Sequence, residues 1–215
     1  MKENKIIITI DGPAASGKGT VARLLAKHFN LDYLDSGIIY RLLGFKISNE
    51  KVDETNISIL VNLAKNLDLT QITDISLLKT EEVAKIASRV AAIKEVREAL
   101  LEVQRKFAEK SSNGIVTDGR DMGTVIFPTA NYKFFLTASI EARSLRRFKE
   151  LQSSNKSVIY TQVVQELVDR DNRDMSRSSA PLAPAIDAIT IDSSNHTAVE
   201  VADYIINYIA SHNSN

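Results

Sequence analysis

Ile6-Ile7-Ile8-Thr9-Ile10-Asp11-Gly12-Pro13-Ala14-Ala15-Ser16-Gly17-Lys18-Gly19-Thr20 is the stretch that decides the fold class. Ile6 to Ile10 is a β-branched run closed by Asp-Gly-Pro, which predicts a buried strand feeding a tight loop. From Thr20 to Phe29 the apolar residues Val21, Leu24, Leu25 and Phe29 form a helical stripe. Between strand and helix stands G-x-x-x-x-G-K, the spacing and context of a phosphate-binding loop. Glycines let backbone N–H groups turn inward where a side chain would intrude, and the following helix adds its positive N-terminal end. Gly12, Pro13, Ala14, Ala15, Ser16, Gly17, Lys18, Gly19 and Thr20 are thus the expected binders of a nucleoside triphosphate. Lys18 would follow the charge that develops on the β- and γ-phosphates, and Thr20 would be the hydroxyl near a magnesium ion. The loop departs from its usual form at one position: the residue after the lysine is Gly19, not Ser or Thr.

Outward from this loop, strands are expected at Asp32–Leu34, Ile115–Thr117, Tyr132–Leu136 and Ala188–Ile191, with helical stretches between them. That order predicts an α/β fold with a five-stranded parallel sheet and helices on both faces, in one domain over residues 1–215. A helical periodicity runs from Glu81 to Lys110 through Val83, Ile86, Ala87, Val90, Ile93, Val96, Leu100, Val103 and Phe107, with a bend conceivable at Ala91-Ala92. Residues 36–80 are weaker in pattern and open an inserted subdomain, placed at about 36–97. A polar stretch, Gln152 to Ser157, separates two arginine-rich helical segments and marks a lid at about 145–170. Thr197 to Ile209 is an amphipathic helix.

The 215 residues carry 27 basic and 27 acidic side chains, so no global field recruits nucleic acid or an acidic membrane. There is no cysteine, which removes disulfides, thiolate metal sites and cysteine nucleophiles and fits a reducing compartment. No run approaches the roughly 18 apolar residues of a membrane helix. The start is too polar and short for a signal-peptide core, so a cytoplasmic location is expected. The triplets Asn56-Ile57-Ser58 and Asn195-His196-Thr197 then carry no glycosylation meaning. A monomer is the default expectation.

A phosphate loop alone says only that a nucleoside triphosphate is used. Guanine-specific enzymes would add N-K-x-D or T-K-x-D, and neither occurs. Ile115-Val116-Thr117-Asp118 has the form of a strand ending in a metal-side aspartate. Three further stretches supply the acceptor half: Asp35-Ser36-Gly37 with Tyr40-Arg41, Asp118-Gly119-Arg120-Asp121-Met122-Gly123, and the arginines Arg143, Arg146, Arg147, Arg170, Arg173 and Arg177. Arg170, Asp174 and Arg177 fall within an arc of roughly 60° on one helix face. Singly, these would be solvated helix surfaces and a salt-bridged turn. In the same chain as a phosphate loop, they read as the distributed positive charge and closing lid that phosphoryl transfer needs.

Together these stretches resemble the bacterial-type cytidylate kinases, in the nucleoside monophosphate kinase group that shares the Gly-Lys-Gly-Thr loop ending. Further matches are Ser88-Arg89-Val90-Ala91, Val96-Arg97-Glu98-Ala99-Leu100, Thr124-Val125 and Ala180-Pro181-Leu182, so the resemblance spans about residues 5–209. It implies a P-loop kinase fold with an acceptor-binding insert and an Arg-rich lid, and transfer of a phosphoryl group from ATP to CMP or dCMP with Mg2+. It further implies Ser36, Arg41, Ser88, Arg97, Arg120, Asp121, Arg170, Asp174 and Arg177 as acceptor ligands, and Lys18, Arg120, Asp121, Arg170 and Arg177 as the catalytic set. Ser88 and Asp174 would meet the cytosine edge, with Arg97 near the base. Arg41, Arg120 and Arg170 would hold the acceptor phosphate, and Asp174 with Arg177 would lie toward the sugar. Leu69 to Thr80 is shorter than in many members, and Leu78-Lys79-Thr80 replaces a common Ile-Arg-Thr. The expected mechanism is direct in-line transfer without a covalent intermediate. None of His28, His196 and His212 is placed as a base. The alternatives are a P-loop kinase for UMP, AMP or shikimate, and a switch protein that hydrolyses ATP slowly.

Overall fold

A computed structural model of the chain describes residues 5–69, 74–153 and 158–212. The chain divides into two compact units, one of Met1–Tyr33 with Ser111–Asn215 and one of Leu34–Lys110. Five strands, β1 (Ile6–Asp11), β2 (Asp32–Asp35), β3 (Gly114–Gly119), β4 (Tyr132–Thr137) and β5 (Ile189–Asp192), form one sheet in the order β2-β3-β1-β4-β5. β1 pairs in parallel with β3 and with β4, and β4 with β5. The order turns back across β1, so the loop that leaves β1 stands at the switch point where open α/β sheets bind ligands.

The first unit carries helices α1 (Lys18–Phe29), α7 (Ile140–Ser153), α8 (Tyr160–Ser176) and α9 (Ala198–His212), besides a π-helical turn at Met122–Ile126. Ile8, Ile10, Val116, Phe134 and Leu136 from the strands close onto Val21, Leu25 and Ala26 of α1 and Val201, Ala202, Ile205 and Ile209 of α9. Strands with both faces covered read as continuous apolar runs, which is why Ile6 to Ile10 shows no alternation. Residues 154–157 of the expected lid lie outside the described residues. Among the described residues no helix is long and apolar enough to cross a membrane.

The second unit holds α2 (Ser36–Asn49), α3 (Ile57–Lys65), α4 (Ile75–Leu78), α5 (Glu81–Val90) and α6 (Lys94–Lys110). Asp35, Asn56, Asp74 and Thr80 cap α2 to α5 by accepting from backbone amides two or three residues on. The single periodicity from Glu81 to Lys110 proves to be two helices. The amides of Ala92 and Ile93 donate to the carbonyls of Arg89 and Val90 at 3.0 and 3.1 Å, a tightened terminal turn. The carbonyl of Ala91 leaves the helical ladder and accepts instead from Arg97 Nη1 at 3.1 Å. A guanidinium, with no proline present, closes this corner.

Candidate active site

In the first unit the phosphate loop runs from the end of β1 into α1. Ala15 and Gly17 take left-handed conformations, φ 59° and 91°, the alternation that makes successive amides converge on an anion. A Cβ on Gly12 would stand 2.0 Å from the Leu136 carbonyl oxygen, so only glycine lets the loop lie this close to β4. With the amides directed inward, the loop carbonyls face outward and need donors. Lys18 Nζ donates to Pro13 O at 3.0 Å, Arg143 Nη1 to Ala14 O at 3.3 Å, and Arg146 Nη1 to Ser16 O at 3.3 Å. Ser193 Oγ also donates to Ser16 O, at 2.9 Å. These donors fix the loop and bring positive charge to its outer side. Ser16 Oγ is buried with no hydrogen-bond partner among the described residues, as expected of a group that meets its partner in a ligand. A cavity of about 440 Å³ opens beside the loop, lined by Lys18, Thr20, Arg147, Glu150, His196 and Thr197 among others.

Arg143 and Arg146, which the sequence groups with the lid arginines, are bonded to the phosphate loop. Arg143 is buried, donates through Nε to Ala138 O at 2.9 Å and pairs with Asp171. Arg146 is bonded to the Ser193 carbonyl and, at 3.1 Å, to Ser193 Oγ. Both are props of the phosphate loop. Arg147 pairs with Glu150 near the surface.

Asp11, the residue before the loop, is buried and accepts from the amides of Met122 and Gly123, both at 2.8 Å. Burial pushes its carboxyl up to about 6, against the pull of these two amides, with the Asp121 charge adding to the rise. Through these bonds the turn Asp118–Gly123 is fastened to the phosphate loop. Asp121 is buried at the head of the π-helical turn, where its carbonyl accepts from Val125 and Ile126.

Asp174 gathers the arginines. Arg120 Nε donates to its Oδ2 at 2.7 Å, and Arg177 Nη1 lies 3.9 Å from its Oδ1. Burial works to raise this carboxyl, but the charges of Arg120, Arg170 and Arg177 and the Arg120 hydrogen bond outweigh it and hold it below its ordinary value. Arg170, Asp174 and Arg177 thus converge as the helical arc predicts, although α8 ends at Ser176 and Arg177 is already extended. Arg177 Nε donates to Ala180 O at 2.6 Å.

The cytidylate kinase family model matches residues 8–211. A cytidylate kinase of Pseudomonas fluorescens (strain Pf0-1) is 47% identical over 95% of this chain and 95% of its own. One from Vibrio cholerae is 44% identical over 98% of this chain and 99% of its own. The chain belongs to the cytidylate kinase family. It is therefore a nucleoside monophosphate kinase, with nucleotides as substrates. A shikimate kinase from Acinetobacter baumannii, 16% identical with a TM-score of 0.50 over 99% of this chain and 97% of its own, shares the P-loop kinase fold.

For a cytidylate kinase family member the second unit carries the remaining positions of interest. Arg41 Nη1 donates to Leu78 O at 2.8 Å. Arg97 is buried, bonded to Ala91 O, with its guanidinium carbon 5.7 Å from the centre of the Tyr40 ring. Ser36 is buried at the start of α2, and Ser88 Oγ on α5 is buried with no hydrogen-bond partner among the described residues. Sequence reasoning missed Asp11 and Ser193 as parts of the site. Asp11 carried a signal, a carboxylate at the end of an apolar strand. Ser193 carried none, because it reaches the loop only through the folded sheet.

Proposed function

We propose that this chain transfers the γ-phosphoryl group of ATP to CMP and dCMP, giving ADP with CDP or dCDP, by direct in-line displacement. What carries this is the presence in one unit of two cationic centres joined by Asp11: the phosphate loop, and the Arg120–Asp174–Arg177 cluster with Arg170. A donor phosphate needs the first, and an acceptor that is itself a phosphate needs the second. Lys18 and the loop amides hold the donor, and the arginines draw charge from the equatorial oxygens.

Ser36, Arg41, Ser88, Arg97, Arg120, Asp121, Arg170, Asp174 and Arg177 are the acceptor ligands in this proposal. The unpartnered Ser88 hydroxyl suits a contact to a base edge. Residues 36–97 act as the acceptor-binding part and 145–170 as the lid. The acceptor phosphate is largely ionised at neutral pH and needs no strong general base.

Mg2+ keeps most of its waters and binds through phosphates plus one or two protein oxygens. The Asp118 carboxylate, with Oδ2 3.7 Å from the Cβ position of Gly19, and the adjacent exposed Thr20 form a donor set of that kind. When bound, the ion neutralises charge between the β- and γ-oxygens. A cytoplasmic, monomeric enzyme that needs neither nucleic acid nor membrane completes the proposal. The test is an acceptor panel with ATP: CMP and dCMP should be phosphorylated well ahead of UMP, AMP and shikimate. Preference for another acceptor, or ATP turnover as fast without any, overturns it.

A further inference from the structure

The usual phosphate loop follows its lysine with Ser or Thr, whose hydroxyl serves the metal. Here that position is Gly19, and its surroundings explain the exchange. A Cβ built on Gly19 would lie 3.3 Å from the Tyr33 hydroxyl, 3.7 Å from Arg23 Nη1 and 3.7 Å from Asp118 Oδ2. The space a Ser or Thr would enter is bordered by a hydroxyl that arrives from β2. That hydroxyl is engaged: Tyr33 Oη donates to Asp118 Oδ1 at 2.6 Å. Arg23, one helical turn into α1, lies with its guanidinium carbon 5.7 Å from the centre of the Tyr33 ring and donates to Thr20 Oγ1 at 3.4 Å. Tyr33 thus links the two candidate metal-side groups of this chain, Asp118 directly and Thr20 through Arg23.

We infer that Tyr33 is a positioning residue for the magnesium site, its hydroxyl occupying the place vacated by the missing loop hydroxyl and orienting the Asp118 carboxylate toward the metal-bound waters. This rests on the proposed metal-side role of Asp118. A phenol donating to a carboxylate oxygen fixes the rotation of that carboxylate. Outer-shell donors of this kind set the orientation of the oxygen that meets the ion. The same hydroxyl accounts for Gly19, since a side chain there would press on Tyr33 and turn Asp118 away.

The experiment measures Mn2+, standing in for Mg2+, bound to the full chain with a non-hydrolysable ATP analogue, by electron paramagnetic resonance. Thermal melting shows that each variant folds. Tyr33→Phe should weaken Mn2+ binding about tenfold, the low end for loss of an outer-shell partner, while binding of the analogue without metal stays unchanged. Gly19→Ser alone should weaken Mn2+ binding as well, because Tyr33 blocks it. In Tyr33→Phe the same serine should recover most of the loss, since room and hydroxyl are then both restored. Unchanged Mn2+ affinity in Tyr33→Phe overturns the inference, as does a Gly19→Ser variant that binds Mn2+ better than the parent. A double variant no better than Tyr33→Phe overturns the steric half. Asp118→Asn separates the two layers: if it too leaves Mn2+ affinity unchanged, the metal-side role of Asp118 fails rather than the positioning by Tyr33.

Discussion

The phosphate loop and the arginine cluster around Asp174 both gather positive charge, and they are built in opposite ways. The loop is made of backbone, with its amides turned inward and its carbonyls held from behind by Lys18, Arg143, Arg146 and Ser193. The cluster is made of side chains collected on one buried carboxylate. Each adjoins a buried Asp, Asp11 just before the loop and Asp174 within the cluster, and the two are shifted in opposite directions. Asp11 is raised to about 6, because burial outweighs the two amides it accepts from. Asp174 lies below its ordinary value, because its arginines outweigh burial. The two amides offset only part of the burial of Asp11, whereas the guanidinium charges around Asp174 more than offset its burial.

That contrast can be broken at four places. Lys18 is a prop and, in the proposed mechanism, the donor-side cation, so Lys18→Ala should lower kcat by about 10²–10³ or more, the scale of a lost transition-state donor. Its melting temperature should stay near that of the parent. Near-normal CDP formation by this variant removes the loop from the mechanism. Arg143 is a prop only. Arg143→Met leaves Asp171 buried and unpaired, so it should cost about 3–5 kcal/mol in urea unfolding and raise the KM for ATP more than that for CMP. An equal rise in both would place Arg143 with the acceptor.

The pH dependence of stability sharpens the comparison further. Because the folded pKa of Asp11 stands above its unfolded value, the folded state holds this proton more tightly, and ionising Asp11 costs stability. The parent should lose about 3 kcal/mol from Asp11 as pH rises from about 4 to about 6, two units at ~1.4 kcal/mol each. Asp174 has the opposite sign: its contribution is present above the unfolded value and is lost as pH falls through the lowered folded one. Urea unfolding across this range should show the slope in the parent and not in Asp11→Asn, which cannot ionise. An equal slope in both assigns it to another group. At the small end, Arg147 pairs with Glu150 on the surface, and Arg147→Ala should change stability by less than about 0.5 kcal/mol.

Sequence legibility divides along the same line. The loop was readable because its chemistry is contiguous: strand, glycines, lysine and helix follow one another within residues 6–29. The convergence of Arg170 and Asp174 was readable because helical periodicity places them on one face, whereas Arg177 joins them from just past the end of α8. Arg143 and Arg146 looked the same in sequence, yet they donate to carbonyls roughly 130 residues away, at Ala14 and Ser16. Spacing along a helix identifies the face an arginine shares and not what that face meets. The sequence allowed a bend at Ala91-Ala92, where α5 and α6 divide, but what makes the break was hidden for a related reason. Apolar periodicity continues through Ala91–Ile93, and the break depends on the Arg97 side chain claiming the Ala91 carbonyl. Nor does any local pattern around Tyr33 announce its bond to Asp118, 85 positions on.

The props of the phosphate loop have a consequence in time. Residues 12–20 are made before the groups that hold them and the adjoining Asp11: Met122 and Gly123 for Asp11, Arg143 for Ala14, and Ser193, 177 positions on, for Ser16. A nascent chain that stops before Ser193 carries the whole nucleotide motif without the bond from Ser193 to the Ser16 carbonyl. The loop is thus finished long after it is made, and such a chain has the motif without the finished grip on a nucleotide.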